Sequence, residues 1–186
     1  QGHRVIGVTM KTFCYSDVEG PGRTCCGLDG IMDARAVAER LGIPHYVFDV
    51  EREFTRDVID DFVSEYAAGR TPNPCVRCNG NTKFADLLER GRMLGCDAIA
   101  TGHYARMGRD ESGEPVLMRG LDHNKDQAYF LWALPRQLLP QLMFPLGELA
   151  KPEVRARARE LGLVTAEKPE SQEICFVPTG DYVDVL

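Results

Sequence analysis

A chain of 186 residues, 44% hydrophobic and 27% charged, has the length of one domain, or of one domain and the start of another. Such a chain can bury a core that needs neither disulfides nor metal to hold it. Its formal charge of −6 argues against a generic nucleic-acid binder, so contact with RNA would require a local basic patch or basic segments beyond this chain.

No apolar run approaches the ~18 residues of a membrane span. The start, Gln1-Gly2-His3-Arg4, does not read as a signal peptide. The expected location is therefore the cytoplasm, with no membrane partner. Seven cysteines then suit thiols, metal ligands or catalytic groups better than a disulfide framework.

Val5-Ile6-Gly7-Val8-Thr9-Met10 is a short β-branched run suited to a buried strand, followed by a polar, Gly-rich, Cys-containing loop to about Gly30. A helix is expected from Ile31 to Leu41, with Ile31, Ala34, Val37, Ala38 and Leu41 as its apolar positions and Gly42 as its stop. A second strand runs from His45 to Val50. Phe54, Val58, Phe62 and Tyr66 line one face of a helix from Phe54 to Ala68, ended by Gly69. The two prolines of Thr71-Pro72-Asn73-Pro74 predict a loop. A helix from about Thr82 to Leu94 stops at Gly95, and a third strand from Asp97 to Ala100 leads into Thr101-Gly102-His103-Tyr104.

Strands alternating with helices over short connections predict an α/β fold, a Rossmann-like parallel sheet with helices on both faces. In such sheets ligands bind beyond the carboxyl ends of the strands. Three segments are expected to converge there: the residues after Met10, the loop from Thr71 to Asn79, and the turn at Gly102-His103. After residue 106 the pattern changes. Glu111-Ser112-Gly113-Glu114 marks a hairpin, Lys125 to Leu134 a helix stopped by Pro135, and Lys151 to Leu161 a basic-faced helix with Pro152 near its first turn. Ser171 to Val177 reads as extended. The expected organisation is a nucleotide-binding core over 1–106, and a hairpin and helical continuation over 107–186.

The strongest local signal is Cys75-Val76-Arg77-Cys78 between the prolines and a helix. A thiolate near a helix N-terminus is stabilised by unpaired backbone N–H groups, and Arg77 adds positive charge. Redox or nucleophilic chemistry and a metal site fit this spacing equally, although a zinc site needs a second ligand pair that the sequence does not supply. Cys175, between Ile174 and Phe176, reads alone as a buried small hydrophobe. Cys14, Cys25, Cys26 and Cys96 carry no partner pattern, and Cys96 reads as core. His103 follows a strand and a glycine, where side chains face ligands, yet a structural role fits as well. Lys125-Asp126-Gln127 fits a solvated helix start. The face carrying Lys151, Arg155, Arg157 and Arg159 fits either solvent or phosphates.

Taken together, six segments are far more specific than any one of them. Gly69-Arg70-Thr71-Pro72-Asn73-Pro74-Cys75-Val76-Arg77-Cys78-Asn79 with Lys83-Phe84 resembles the family of tRNA-specific 2-thiouridylases. So do Ile99-Ala100-Thr101-Gly102-His103-Tyr104-Ala105-Arg106, Arg119-Gly120, Lys125-Asp126-Gln127, Phe144-Pro145-Leu146-Gly147 and Ser171-Gln172-Glu173-Ile174-Cys175-Phe176.

The resemblance implies a nucleotide-hydrolase-like domain of the pyrophosphatase-loop type. It also implies an enzyme that uses ATP with Mg2+ to adenylate the C2 oxygen of a tRNA wobble uridine and then delivers sulfur from a cysteine persulfide. By the same resemblance, Cys175 carries the persulfide and Cys78 resolves the exchange, forming a disulfide with Cys175. Met10 and Gly102 contact the nucleotide. Asn73, Pro74 and Cys75 contact the target base, and His103, Lys125, Asp126 and Gln127 contact the tRNA. The partners implied are tRNA and a persulfide-carrying sulfur donor, either a cysteine desulfurase or a sulfur-relay protein.

Two departures from the family pattern stand out. The Gly-rich phosphate loop expected before Val5, and two C-terminal β-rich regions, are missing. The chain is therefore expected to be a fragment without thiolation activity alone. Some relatives carry Asp at the position of Cys75; a Cys there gives three thiols, Cys75, Cys78 and Cys175, as a possible iron–sulfur ligand set, one short of the usual four. The competing readings are another ATP pyrophosphatase acting on a small metabolite, and a metal- or RNA-binding module without catalysis.

Overall fold

The computed structural model describes residues 2–12, 28–170, 174–177 and 182–186. Cys14, Cys25 and Cys26, most of the loop after Lys11, and Ser171-Gln172-Glu173 lie outside them. The class is α/β, as the alternation predicts, and two compact units divide the chain: 1–72 with 158–186, and 73–157.

In the first unit, β1 (Gly7–Lys11) pairs in parallel with β2 (His45–Asp49), with Gly7 opposite His45 and Lys11 opposite Asp49. Helix α1 (Leu28–Leu41) crosses over between them, as a parallel pair demands. Helix α2 (51–67) opens as an α-helix at Glu51–Phe54, widens to π geometry over Thr55–Ile59 and closes as an α-helix at Asp60–Ala67. Its predicted apolar stripe is real: Phe54, Val58 and Phe62 are buried. Gly69 takes φ 72°, and Arg70 N–H reaches the carbonyl of Glu65 at 2.9 Å, closing the helix as a Schellman turn.

The returning segment folds onto the same unit. Phe176 meets the rings of Phe54 and Phe62 edge-on at 5.9 and 5.3 Å, and Tyr182 stacks on Tyr66 at 5.0 Å. Lys168 pairs with Asp33, and Arg40 Nε donates to the carbonyl of Leu161 at 3.2 Å.

In the second unit, helix α3 (74–93) begins at Pro74, eight residues earlier than the sequence suggests. Pro74 is the first helical residue, where a missing N–H costs nothing, and Asn73 caps it by accepting from Val76 N–H at 3.3 Å. Thr71 to Asn73 remain a loop, as expected, while Pro74 marks a helix start. The helix is α over Pro74–Arg77, π over Cys78–Asp86 and α over Leu87–Met93.

Strand β3 (Ile99–Ala100) pairs in parallel with β6 (Leu142–Met143), while β4 (Ala105–Arg109) and β5 (Pro115–Arg119) form the predicted antiparallel hairpin. Among the described residues the strands thus form three two-stranded ladders rather than one continuous sheet. The core of this unit joins Phe84, Leu88, Ile99, Ala105, Leu131 and Phe144 with Leu134, Leu139 and Leu142.

Three further expectations change. The helix expected from Lys125 to Leu134 is a short 3₁₀ helix, Ala128–Leu131, because Asp126 and Gln127 turn their side chains to other backbone groups. A second 3₁₀ helix spans Arg136–Gln141. Cys96 is half-buried rather than core, and residues 174–177 form a turn, with Val177 N–H bonded to the carbonyl of Ile174 at 2.9 Å, rather than an extended stretch. Helix α4 (Lys151–Glu160) matches the sequence reading and buries none of its residues. No described helix is long and apolar enough to cross a membrane.

Two of the motif glycines have packing reasons. A Cβ on Gly147 would lie 1.8 Å from the carbonyl oxygen of Ala105, and one on Gly120 would lie 2.7 Å from that of Tyr104. Both contacts are with backbone, which cannot swing aside as a side chain can. Gly147→Ala is therefore expected to destabilise the chain by at least about 2 kcal/mol, read as a lowered urea midpoint at unchanged slope. An unchanged midpoint would show that β4 does not sit this close.

Candidate functional site

The Cys-x-x-Cys motif occupies the first two turns of α3. Cys75, in the first turn, is exposed, while Cys78, three residues on, is 6% exposed. Placing the pair inside the helix splits the two thiols between solvent and interior, a distinction that spacing alone does not make. Cys78 opens the π stretch, and such widened turns are rare and recur at functional sites.

Next to it, Asn79 is buried and donates its Nδ2 to the carbonyl of Phe130 at 3.2 Å. Its Oδ1 and the Oγ1 of buried Thr82 find no hydrogen-bond partner among the described residues. Unsatisfied buried oxygens of this kind are costly and mark positions that a ligand or water could complete. Asn79 was visible in the motif; Thr82 was missed, and its only signal was helical spacing from Cys78.

The loop leaving β3 places Gly102 in the open and folds His103 inward. The His103 ring packs near Phe84 and Phe144, with centroids 5.9 and 6.3 Å away, and its Nδ1 lies 2.8 Å from Thr101 Oγ1. Burial, aided by the positive charge of Lys83, lowers its pKa from 6.5 to about 4. The imidazole is therefore neutral at physiological pH, suited to hydrogen bonding and packing rather than to pairing with a phosphate.

Lys125-Asp126-Gln127 lies close by in the chain fold. Gln127 Oε1 accepts from Tyr104 N–H at 3.0 Å while Gln127 N–H returns a bond to the Tyr104 carbonyl at 2.9 Å. Asp126 Oδ1 accepts from Gly120 N–H at 3.0 Å and Ala128 N–H at 3.2 Å. Two of the three residues therefore tie the 3₁₀ helix to the β3–β4 connection and to the end of β5, and Lys125 is half-buried beside them. Lys151 Nζ stands 5.5 Å from the centre of the Tyr104 ring, a cation–π contact.

In the first unit, Met10 is buried near the carboxyl end of β1. Lys11 follows it, bonded to Asp49 at 3.0 Å and Glu51 at 3.3 Å, and these two carboxylates, Asp49 foremost, raise its pKa. Thr12 is fully buried, and its Oγ1 finds no partner among the described residues. A groove of about 710 Å³ runs along Asp49, Glu51, Arg52, Glu53, Thr55, Arg56 and Asp60. Its excess of carboxylates suits it poorly to phosphate. Cys175 is half-buried in the turn that Phe176 fastens to α2.

Cys75, Cys78, Cys96 and Cys175 are present as thiols. Among the described residues no group of three or more His, Cys, Asp or Glu side chains is arranged to hold a metal ion.

Residues 1–179 match the family described as the tRNA methyl transferase HUP domain. A protein named tRNA-specific 2-thiouridylase MnmA in Geobacter metallireducens is 56% identical over 190 aligned residues, covering 100% of this chain and 52% of that protein. Proteins of the same name in Geotalea uraniireducens and Beijerinckia indica are 56% and 51% identical, covering 98% and 100% of this chain and 50% and 43% of their own lengths. The chain thus spans about half the length of the curated relatives it matches.

The half-buried imidazole makes stability depend on acid. Because the folded value, about 4, lies below the unfolded 6.5, the unfolded chain takes up the proton first as pH falls. The contribution is intact above pH 6.5 and is lost as pH drops toward 4. Between pH 7.5 and pH 5 the unfolding free energy is expected to fall by up to about 2 kcal/mol from this group, and His103→Gln should flatten that limb. An identical acid limb in the variant would assign the loss elsewhere.

Proposed function

The chain belongs to the tRNA methyl transferase HUP domain family, and from that premise we propose that it takes part in the ATP-dependent 2-thiolation of a tRNA uridine. The observation that carries this reading is the identity of 51–56% extending across the cysteine-bearing segments to relatives named for that activity. An ATP pyrophosphatase acting on a small metabolite has no comparable support.

Uridine C2 is a poor electrophile until its oxygen becomes a leaving group. In the proposed sequence that oxygen attacks the α-phosphorus of Mg2+-bound ATP and pyrophosphate departs. The terminal sulfur of a persulfide on Cys175 then attacks C2, and AMP leaves with the former C2 oxygen. The C2–S–S–Cys175 linkage that remains is cut when the Cys78 thiolate attacks the Cys175 sulfur. That attack gives 2-thiouridine and a Cys78–Cys175 disulfide, which a thiol reductant or the sulfur donor must reopen before the next cycle. A persulfide-carrying protein supplies the sulfur, and tRNA and that donor are the partners.

The local structure is compatible with these roles. Cys78 sits buried beside Asn79 and Thr82, away from bulk solvent, where a thiol is protected from adventitious oxidants. Cys175 lies half-buried in a turn that Phe176 and buried Val177 hold in place. Asn73 and Pro74 are already committed to starting α3, and any contact they make with a base is made from a rigid helix start. Chemistry on a base requires taking it out of its stack, and a rigid rim favours that.

In the complete protein, Cys78→Ser and Cys175→Ser should each lower tRNA thiolation at least about a hundredfold, while ATP-dependent pyrophosphate release on unmodified tRNA persists. Mercury-gel retardation of the tRNA and pyrophosphate release read the two steps separately. Thiolation that survives both substitutions would defeat the assignment.

A further inference from the structure

We propose that Tyr129 and Trp132 form a stacking surface for unpaired nucleobases of the RNA, a reading that rests on the tRNA function above and adds to it the residues that grip single-stranded bases. At 64% and 68% exposure they are the two most exposed aromatic side chains among the described residues. Tyr129 lies in the 3₁₀ helix Ala128–Leu131 and Trp132 is its C-cap residue, whose backbone (φ −62°, ψ −28°) continues the helical turn, and side chains three residues apart in such a turn eclipse and share a face. Two large rings presented together to water, each with a polar edge, suit the π-face of a base better than an aliphatic protein surface.

The surface is rigidly mounted. Leu131, between them, is 1% exposed and belongs to the core, which fixes the rotation of the helix about its axis. Phe130 meets the Tyr129 ring edge-on at 5.6 Å and holds its plane. The carbonyl of Phe130 is bonded to Asn79, and a Cβ on Gly80 would lie 3.3 Å from the carbonyl of Ala133, so the 3₁₀ helix is fastened directly to the segment after Cys78.

Charge complementarity supports RNA as the occupant. Asp126, two residues before this helix, accepts from Ala128 N–H, and the Arg119 guanidinium stands 3.8 Å from its carboxylate with 81% of the side chain exposed. Lys125 adjoins it. Arg119 stays largely in solvent despite that pairing, so in a chain of net charge −6 it offers a phosphate backbone a cation that can exchange the Asp126 carboxylate for a phosphate.

Trp132 is the only tryptophan of the chain, so its emission reports on the surface directly. Titration with a uridine-containing anticodon stem-loop should quench that emission, whereas a fully paired duplex of the same composition should not. Tyr129→Ala and Trp132→Ala should each weaken stem-loop binding roughly tenfold by filter binding, with Tyr129→Phe and Trp132→Phe within about threefold of the wild type. Stem-loop binding with unchanged emission and unaffected alanine variants would overturn the stacking surface while leaving the tRNA reading intact. No binding of either RNA would overturn both. Concentration-dependent self-association abolished by the alanine changes would give the surface to a second copy of the chain instead.

Discussion

Burial of one face of α3 is the constraint on which the second unit depends. Phe84 and Leu88 are 1% and 3% exposed and lie in the same core as Ile99, Ala105, Leu131 and Phe144. Once that face is buried, the rotation of the helix is fixed, and with it the fate of every other side chain along 74–93. Cys78 is turned inward and Cys75 outward, Asn79 meets the carbonyl of Phe130, and Phe84 becomes a wall for the His103 ring. Burial of large apolar side chains at roughly 1.5–3 kcal/mol each is what can hold buried polar groups whose oxygens lack partners, since each such group costs about 1–3 kcal/mol.

Residues that the resemblance proposes as substrate contacts also have structural roles. Gln127 and Asp126 bond the backbone at Tyr104, Gly120 and Ala128, and Asn73 caps α3. Gly120 and Gly147 are small because backbone carbonyls lie where a Cβ would go. The neutral, half-buried His103 shows the same overlap, its ring serving the packing of Phe84 and Phe144 whatever else it contacts.

The first unit reaches a similar end by a different route. The turn carrying Cys175 has no regular secondary structure of its own, and it is held because Phe176 enters the aromatic stripe of α2 and Val177 is buried beside it.

The sequence by itself determined what depends on local chemistry. The alternation of strands and helices, the apolar stripe Phe54-Val58-Phe62, the hairpin about Gly113 and the glycine stops follow from periodicity and turn preferences, and the six linked segments identify the family. Tertiary structure decided what depends on contacts distant in the chain. The α3 start moved back to Pro74 because proline is ambiguous between loop and first helical turn until a cap is seen. The helix expected at 125–134 shrank to a 3₁₀ turn because Asp126 and Gln127 found backbone partners at Gly120 and Tyr104. Which of Cys75 and Cys78 is buried, the acid shift of His103 and the exposure of Tyr129 with Trp132 all depend on which neighbours a fold supplies, and no spacing of letters encodes a neighbour fifty residues away.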